Sequence, residues 1–412
     1  MASVCFYFQL HQPCRLRRYS VFDTGCDYFD TPRNAEICKR IASRCYLPAN
    51  KLMLRLIRRH QGRFRIAYGM TGVLADQLQQ HAPQVLDSFR ELNETGCVEF
   101  VTETYHHSLS FLYSRREFEE QIRLHQARME KLFGCRPAVF RNTEMIYNND
   151  LAHFVAGLGF RGVLTEGADH LLRGRSPNYL YRAPGAPGLT VLLRNHNLSD
   201  DIAFRIADRQ WAEYPLTPEK FAGWVNQVNG NGYTVNLFAD YETVGEHQWA
   251  DSGIFDFLEA VPGEVLIHRD NDFKTPSEVI ASYPAGEEYD VPHMISWADT
   301  ERDLSAWLGN AMQSNALHEL YRLEADVKAC GDPRVLDDWR LLQTSDHFYY
   351  MCTKHWADGA VHDYFNPYES PYDSYINFMN VLDHLRRRVV VPPQRQRATA
   401  VQPARATGPR CS

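Results

Sequence analysis

Over its first 270 residues the chain alternates short apolar runs with segments whose apolar positions recur at helical spacing. Runs at 4–10 (VCFYFQL), 63–70, 98–101, 138–141, 161–164, 189–194, 233–239 and 264–268 predict strands. Between them, 50–60, 73–92, 115–132, 150–158, 218–228 and 254–261 predict helices. Ser114, with Glu117 three residues on, predicts a capping box at the start of one helix, and Gly159 closes another. Strands separated by helices imply a parallel sheet, and seven or so such units favour a barrel. An open doubly wound sheet is the alternative, but no strand is followed by a glycine-rich phosphate turn. Beyond residue 300 the strand signal fades, and 304–326, 333–345 and 371–388 read as helices. The expected division is a catalytic α/β unit over 1–300, a helical region over 301–388 and a disordered arginine-rich tail over 389–412.

Composition narrows the possible functions. With 412 residues, 44% hydrophobic and 23% charged, the chain can bury a large core. The net charge of −7 is uneven. From Arg386 onward there are seven arginines and no acid, so the body carries −14, which argues against a general nucleic-acid binder. No apolar run reaches the roughly 18 residues of a membrane span. The run at 4–10 has no basic flank or small-residue cleavage site, and reads as a strand rather than a leader. Ten cysteines without a CxxC pair suit a reducing cytoplasm. The 22 Phe, 22 Tyr and 7 Trp exceed what a core needs, and some are expected to line a groove for flat ligands.

Chemistry in a barrel gathers at the carboxyl ends of its strands. Four predicted strands run into polar clusters: His11-Gln12-Pro13; Thr102-Glu103-Thr104-Tyr105-His106-His107; Arg141-Asn142-Thr143-Glu144; and Asp240-Tyr241-Glu242, followed by Glu246 and His247. Two carboxylates on separate strand ends are the minimal kit for glycoside hydrolysis, one as nucleophile or base and the other as general acid. Arg141 is expected to hold Glu144 ionised, and burial beside Glu242 to raise Asp240. Glu242 and Glu246 themselves are expected to be solvated loop acids or supporting partners. The 348–351 aromatic run and Tyr364-Phe365 are expected to pack among helices, with His347 and His355 structural.

The segments HQP at 11–13, VEFVTETYHHSL at 98–109, FRNTEMIY at 140–147, DYETVGEHQW at 240–249 and ISWADTERDLSAWLGNAMQ at 295–313 occur in one order. Together they resemble the five sequence regions of glycoside hydrolase family 57, in its α-amylase-like branch, over about residues 4–385. The resemblance implies an incomplete (β/α)7 TIM-like barrel, completed at the cleft by a C-terminal helical bundle. It implies retaining chemistry on α-glucans with no metal or cofactor. Glu144 falls on the family's nucleophile and Asp240 on its acid/base. His11, His107, Trp297, Asp299 and Asp303 are the implied substrate contacts, and Gln12, Arg141, His247 and Trp249, within or beside the same segments, are further candidates for binding substrate. Val244, Cys5 and Cys97 depart from the expected pattern without touching the carboxylate pair. A 4-α-glucanotransferase or branching enzyme would share that pair. A divalent-metal deacetylase or mannosidase would draw on His11, His106, His107, Asp240 and His247, and a non-catalytic carbohydrate binder is the remaining alternative.

Overall fold

The computed structural model describes residues 2–354 and 365–390. His355, Tyr364, Cys411 and most of the arginine-rich tail lie outside them. Among the described residues ten strands form: β1 (Ala2–Leu10), β2 (Ile66–Met70), β3 (Val98–Val101), β4 (Val139–Arg141), β5 (Gly162–Glu166), β6 (Leu180–Ala183), β7 (Ala186–Arg194), β8 (Thr234–Asp240), β9 (Asn271–Phe273) and β10 (Ala285–Glu288). One sheet runs β3-β2-β1-β8, with β9 also beside β1; the other runs β10-β6-β7-β5-β4. Every pairing is parallel except the β6–β7 hairpin. Main-chain bonds stitch the two sheets together. Thr102 donates to Val139 and Arg141 to Thr102 between β3 and β4, and Asn195 donates to Asn236 between β7 and β8. The Asn236 side chain adds a bond to the Leu193 carbonyl at 2.8 Å.

β1 is buried along its whole length, which is why its sequence is apolar without alternation. Since the connected strands run the same way, β1, β3, β4, β5, β7 and β8 release their carboxyl ends on one side. Gln9 of β1 lies in register with Asp240 of β8.

Several predicted elements differ. The expected strand at 264–268 is the end of a helix, Ile254–Ile267, and the strand after it is β9. Its buried positions 254, 257, 258, 261, 262 and 265 keep helical spacing through Pro262, so packing carries the helix past the local breaker. The expected helix at 73–92 is two, Gly72–His81 and Pro83–Glu94. Ala82 precedes a proline and is pushed out of helical geometry, to φ −151°. Ser114 does cap its helix, accepting from the Glu117 amide at 3.1 Å. The Glu117 side chain does not return to the cap; it binds Arg340 at 2.9 Å and Lys328 at 2.8 Å.

After residue 304 the elements are helical, among them Ala311–Arg322, Pro333–Leu341, Ser345–Tyr349 and Pro371–Val390. Their apolar core, including Trp307, Trp339, Phe348 and Leu382, also takes in Leu16, Tyr19 and Tyr28 from the loop after β1. The helical region is therefore packed onto the strand-end loops, and it reaches the site through the short helix Ser345–Tyr349.

Candidate active site

Glu144 follows β4 by three residues, in a single helical turn, Thr143–Met145. Glu144 and Met145 have φ of +55° and +51°, a left-handed geometry that costs a non-glycine residue about 1–3 kcal/mol each. This turn faces the Glu144 side chain away from its own backbone and into the protein, where the residue is buried. Three donors meet its carboxylate: His107 Nε2 at 3.1 Å, the Ser345 hydroxyl at 3.0 Å and the Trp297 indole N–H at 2.9 Å.

His107, at φ +51°, links two carboxylates. Its Nδ1 lies 3.3 Å from Glu103, which also accepts two bonds from the Gln9 amide at 2.9 and 3.0 Å. Burial opposes a charge on this ring, but hydrogen bonds to Glu103 and Glu144 prevail and push His107 up to about 9. Burial likewise opposes charge on Glu103, yet its bond to His107 leaves it below the ordinary glutamate range. A buried imidazolium thus bridges Glu103 and Glu144 at neutral pH. His11 stacks on His107 at 4.0 Å and contacts Thr71 at 3.0 Å and Asp346 at 2.9 Å. Burial and the charge on His107 lower the pKa of His11, so the stacked pair holds one proton-rich and one neutral ring.

Asp240 ends β8 and lines a cleft, together with Glu144, Arg194, Asp200, Phe204, His247, Trp297 and Asp299. A smaller adjoining cavity shares Glu144, Asp240, His247 and Trp297, and adds His11, Gln12, His107, Arg141, Glu242 and Asp346. The two carboxylates therefore stand where the spaces meet. Glu242, two residues after Asp240, is buried; burial and then the Asp240 charge push it up to about 8. It accepts from the Tyr46 hydroxyl at 2.5 Å and stays protonated at neutral pH.

The structure gathers most of the expected residues and leaves two aside. Gln12 is buried, accepting from Arg15 at 2.9 Å, and His247 lies edge-on to Phe365. Trp249 is 55% exposed and outside both linings. Asp303 also lies outside them, because its carboxylate caps the turn at Ser305 at 2.8 Å. Arg141 does not pair with Glu144 as expected. Its guanidinium lies 4.8 Å from the Trp297 ring, and its place beside Glu144 is taken by the three donors above. Glu242 and Glu246 are not solvated; Glu246 is buried and paired with Arg40 at 2.9 Å. His106 turns away from the cavity, its amide bonded to Gln121, and burial drives its pKa to about 3.

Thr71, Glu103, Ser345 and Asp346 were not expected in the site. Glu103 stood in a strand-end cluster and was legible as a candidate. Ser345 and Asp346 carried no sequence signal, because a short helix far along the chain brings them in. Among the described residues, no group of three or more His, Cys, Asp or Glu is arranged to hold a metal ion. No helix among them is long and apolar enough to cross a membrane.

Comparison with known proteins identifies the family of the chain. The profile of glycosyl hydrolase family 57 matches residues 5–292. A curated protein of Methanocaldococcus jannaschii, provisionally named an alpha-amylase, is 41% identical over 394 residues, covering 92% of this chain and 83% of that protein. A family 57 branching enzyme from Thermococcus kodakaraensis superposes with a TM-score of 0.69 at 17% identity, covering 93% of this chain and 89% of that one. The 4-alpha-glucanotransferase of Thermococcus litoralis gives 0.68 at 14% identity; 94% of this chain is covered, but only 60% of that longer chain. At such identities the superpositions speak for the α/β fold alone. The profile match and the 41% identical relative together show that the chain belongs to glycosyl hydrolase family 57 and is a glycoside hydrolase.

Proposed function

We propose that the protein is a retaining enzyme acting on α-1,4-glucans, of the α-amylase type. The observation that carries this reading is the Glu144 carboxylate, solvated by His107, Ser345 and Trp297 in a cleft it shares with Asp240. A carboxylate fixed by three donors is positioned to attack an anomeric carbon. Asp240, on a different strand end, is the acid/base.

The chemistry is a double displacement. A Glu144 oxygen bonds to the anomeric carbon while the bond to the leaving glycosidic oxygen breaks, and Asp240 delivers its proton to that oxygen. Asp240, now ionised, takes a proton from an incoming hydroxyl, which attacks the anomeric carbon and releases Glu144. Water as acceptor gives hydrolysis, and a glucan hydroxyl gives transfer. We read the seven stitched strands β1, β2, β3, β4, β5, β7 and β8 as the incomplete (β/α)7 barrel, with the helical region completing the cleft through Ser345, Asp346 and Tyr349.

Glu144→Gln is expected to lower turnover by about 10⁴-fold or more while maltooligosaccharide still binds. Near-normal turnover in that variant would refute the nucleophile role. Maltoheptaose followed by NMR gives the rest. An α-anomer formed first supports retention, a β-anomer overturns it, and products longer than the substrate identify transfer.

A further inference from the structure

Arg141 closes β4 with its side chain fully buried in the wall of the smaller cavity. Its Nε, Nη1 and Nη2 atoms are all without a hydrogen-bond partner among the described residues. A guanidinium carries five N–H donors and is costly to bury with none of them used. Two features hold it there. The Trp297 ring lies over it at 4.8 Å, and the Trp297 N–H is itself tied to Glu144 at 2.9 Å, so the guanidinium is packed against the same indole that binds Glu144. Its charge also faces Glu103, whose pKa it helps to lower.

The surrounding charges decide what the donors are for. Besides Arg141, the cavity and its wall hold an imidazolium, His107, and the acids Glu103, Glu144, Asp240 and Asp346. Negative charge predominates, which disfavours a phosphate or carboxylate ligand. A neutral polyol remains. Two vicinal hydroxyl oxygens present acceptors at a spacing that the two-pronged arginine fork can meet, in the manner of its bidentate pairing with carboxylates. We propose that Arg141 is a specificity-determining residue that donates to a vicinal hydroxyl pair of the sugar ring seated against Glu144. The proposal rests on the glucan reading above and adds the group that selects the ring.

The test separates the two ideas by measuring binding without turnover. In the Glu144→Gln background, calorimetry compares maltotriose with analogues lacking single hydroxyls, with and without Arg141→Met. With Arg141 present, deleting a hydroxyl of the contacted pair is expected to weaken binding about 10-fold or more, and Arg141→Met to weaken parent maltotriose similarly. In the Arg141→Met protein the same deletion should cost under about 3-fold, because the partner is already gone. Arg141→Lys, which keeps the charge but not the fork, should recover part of the loss and shows that the site still folds. Equal losses for every deletion in both proteins would overturn the proposal. If no maltooligosaccharide binds even with Arg141 intact, the glucan reading itself fails.

Discussion

Glu144 reaches its donors because the backbone accepts two successive left-handed residues, and no local sequence preference asks for that geometry. The buried bonds to His107, Ser345 and Trp297 offset the strain. Protonation in this cluster has a consequence for stability that titration can read. Glu242 is pushed from 4.5 to about 8 and His107 from 6.5 to about 9, so the folded protein binds both protons more tightly than the unfolded chain. Stability from Glu242 is full below about 4.5 and is lost as pH rises through about 8; that from His107 is full below about 6.5 and lost through about 9. Urea midpoints are expected to fall from about pH 7 to about 9.5, because below about 6.5 the histidines that burial keeps neutral, His106 and His347 among them, act in the opposite direction. Glu242→Gln keeps a neutral side chain and is expected to flatten the part of that fall below pH 8, whereas an unchanged slope would place the proton elsewhere. Asp240 and Glu144 were legible at this scale as carboxylates at strand ends. The expected Arg141–Glu144 pairing does not form, because three residues of separation says nothing about which way a strand-end side chain turns.

At the scale of elements, the helix Arg115–Phe133 is joined to Pro333–Leu341 by ions rather than by apolar contact alone. Glu117 is fully buried and receives Arg340 at 2.9 Å and Lys328 at 2.8 Å, while Arg340 also binds Glu120 at 2.8 Å. Removing one member of a buried pair strands the other. Arg340→Met is expected to destabilise the protein by about 3 kcal/mol, at the lower end for such a break because Lys328 still faces Glu117. Chemical denaturation checks this, and Arg340→Lys should recover part of the loss. The capping pattern at Ser114 and Glu117 identified the helix start correctly, yet Glu117 serves another helix more than 200 residues away. The expected strand at 264–268 failed for a related reason. Short apolar runs fit strand or helix alike, and burial at helical spacing from Ile254 to Val265 decided the matter.

For the whole molecule, the surroundings of Glu144 come from both ends of the described chain. Glu144 and His11 sit on the strand ends, but Ser345 and Asp346 reach them from the helical region. The same region covers Leu16, Tyr19 and Tyr28. A chain ended at residue 300 is therefore expected to expose that apolar surface and to lose turnover. Light scattering and an assay of the shortened protein would check both, and a soluble, fully active fragment would show that the strand units alone suffice. Reading the sequence determined what repeats locally: alternating strands and helices, carboxylates at strand ends, and five ordered segments whose family the comparisons bear out. These follow from periodicity and short-range order, which a linear chain displays. Only the tertiary structure decided which donors hold Glu144, that His107 rather than His106 enters the site, that Glu242 keeps its proton and that Arg141 faces the cavity unpaired. Those outcomes depend on burial and on contacts between residues far apart in the chain, and neither is written in local spacing.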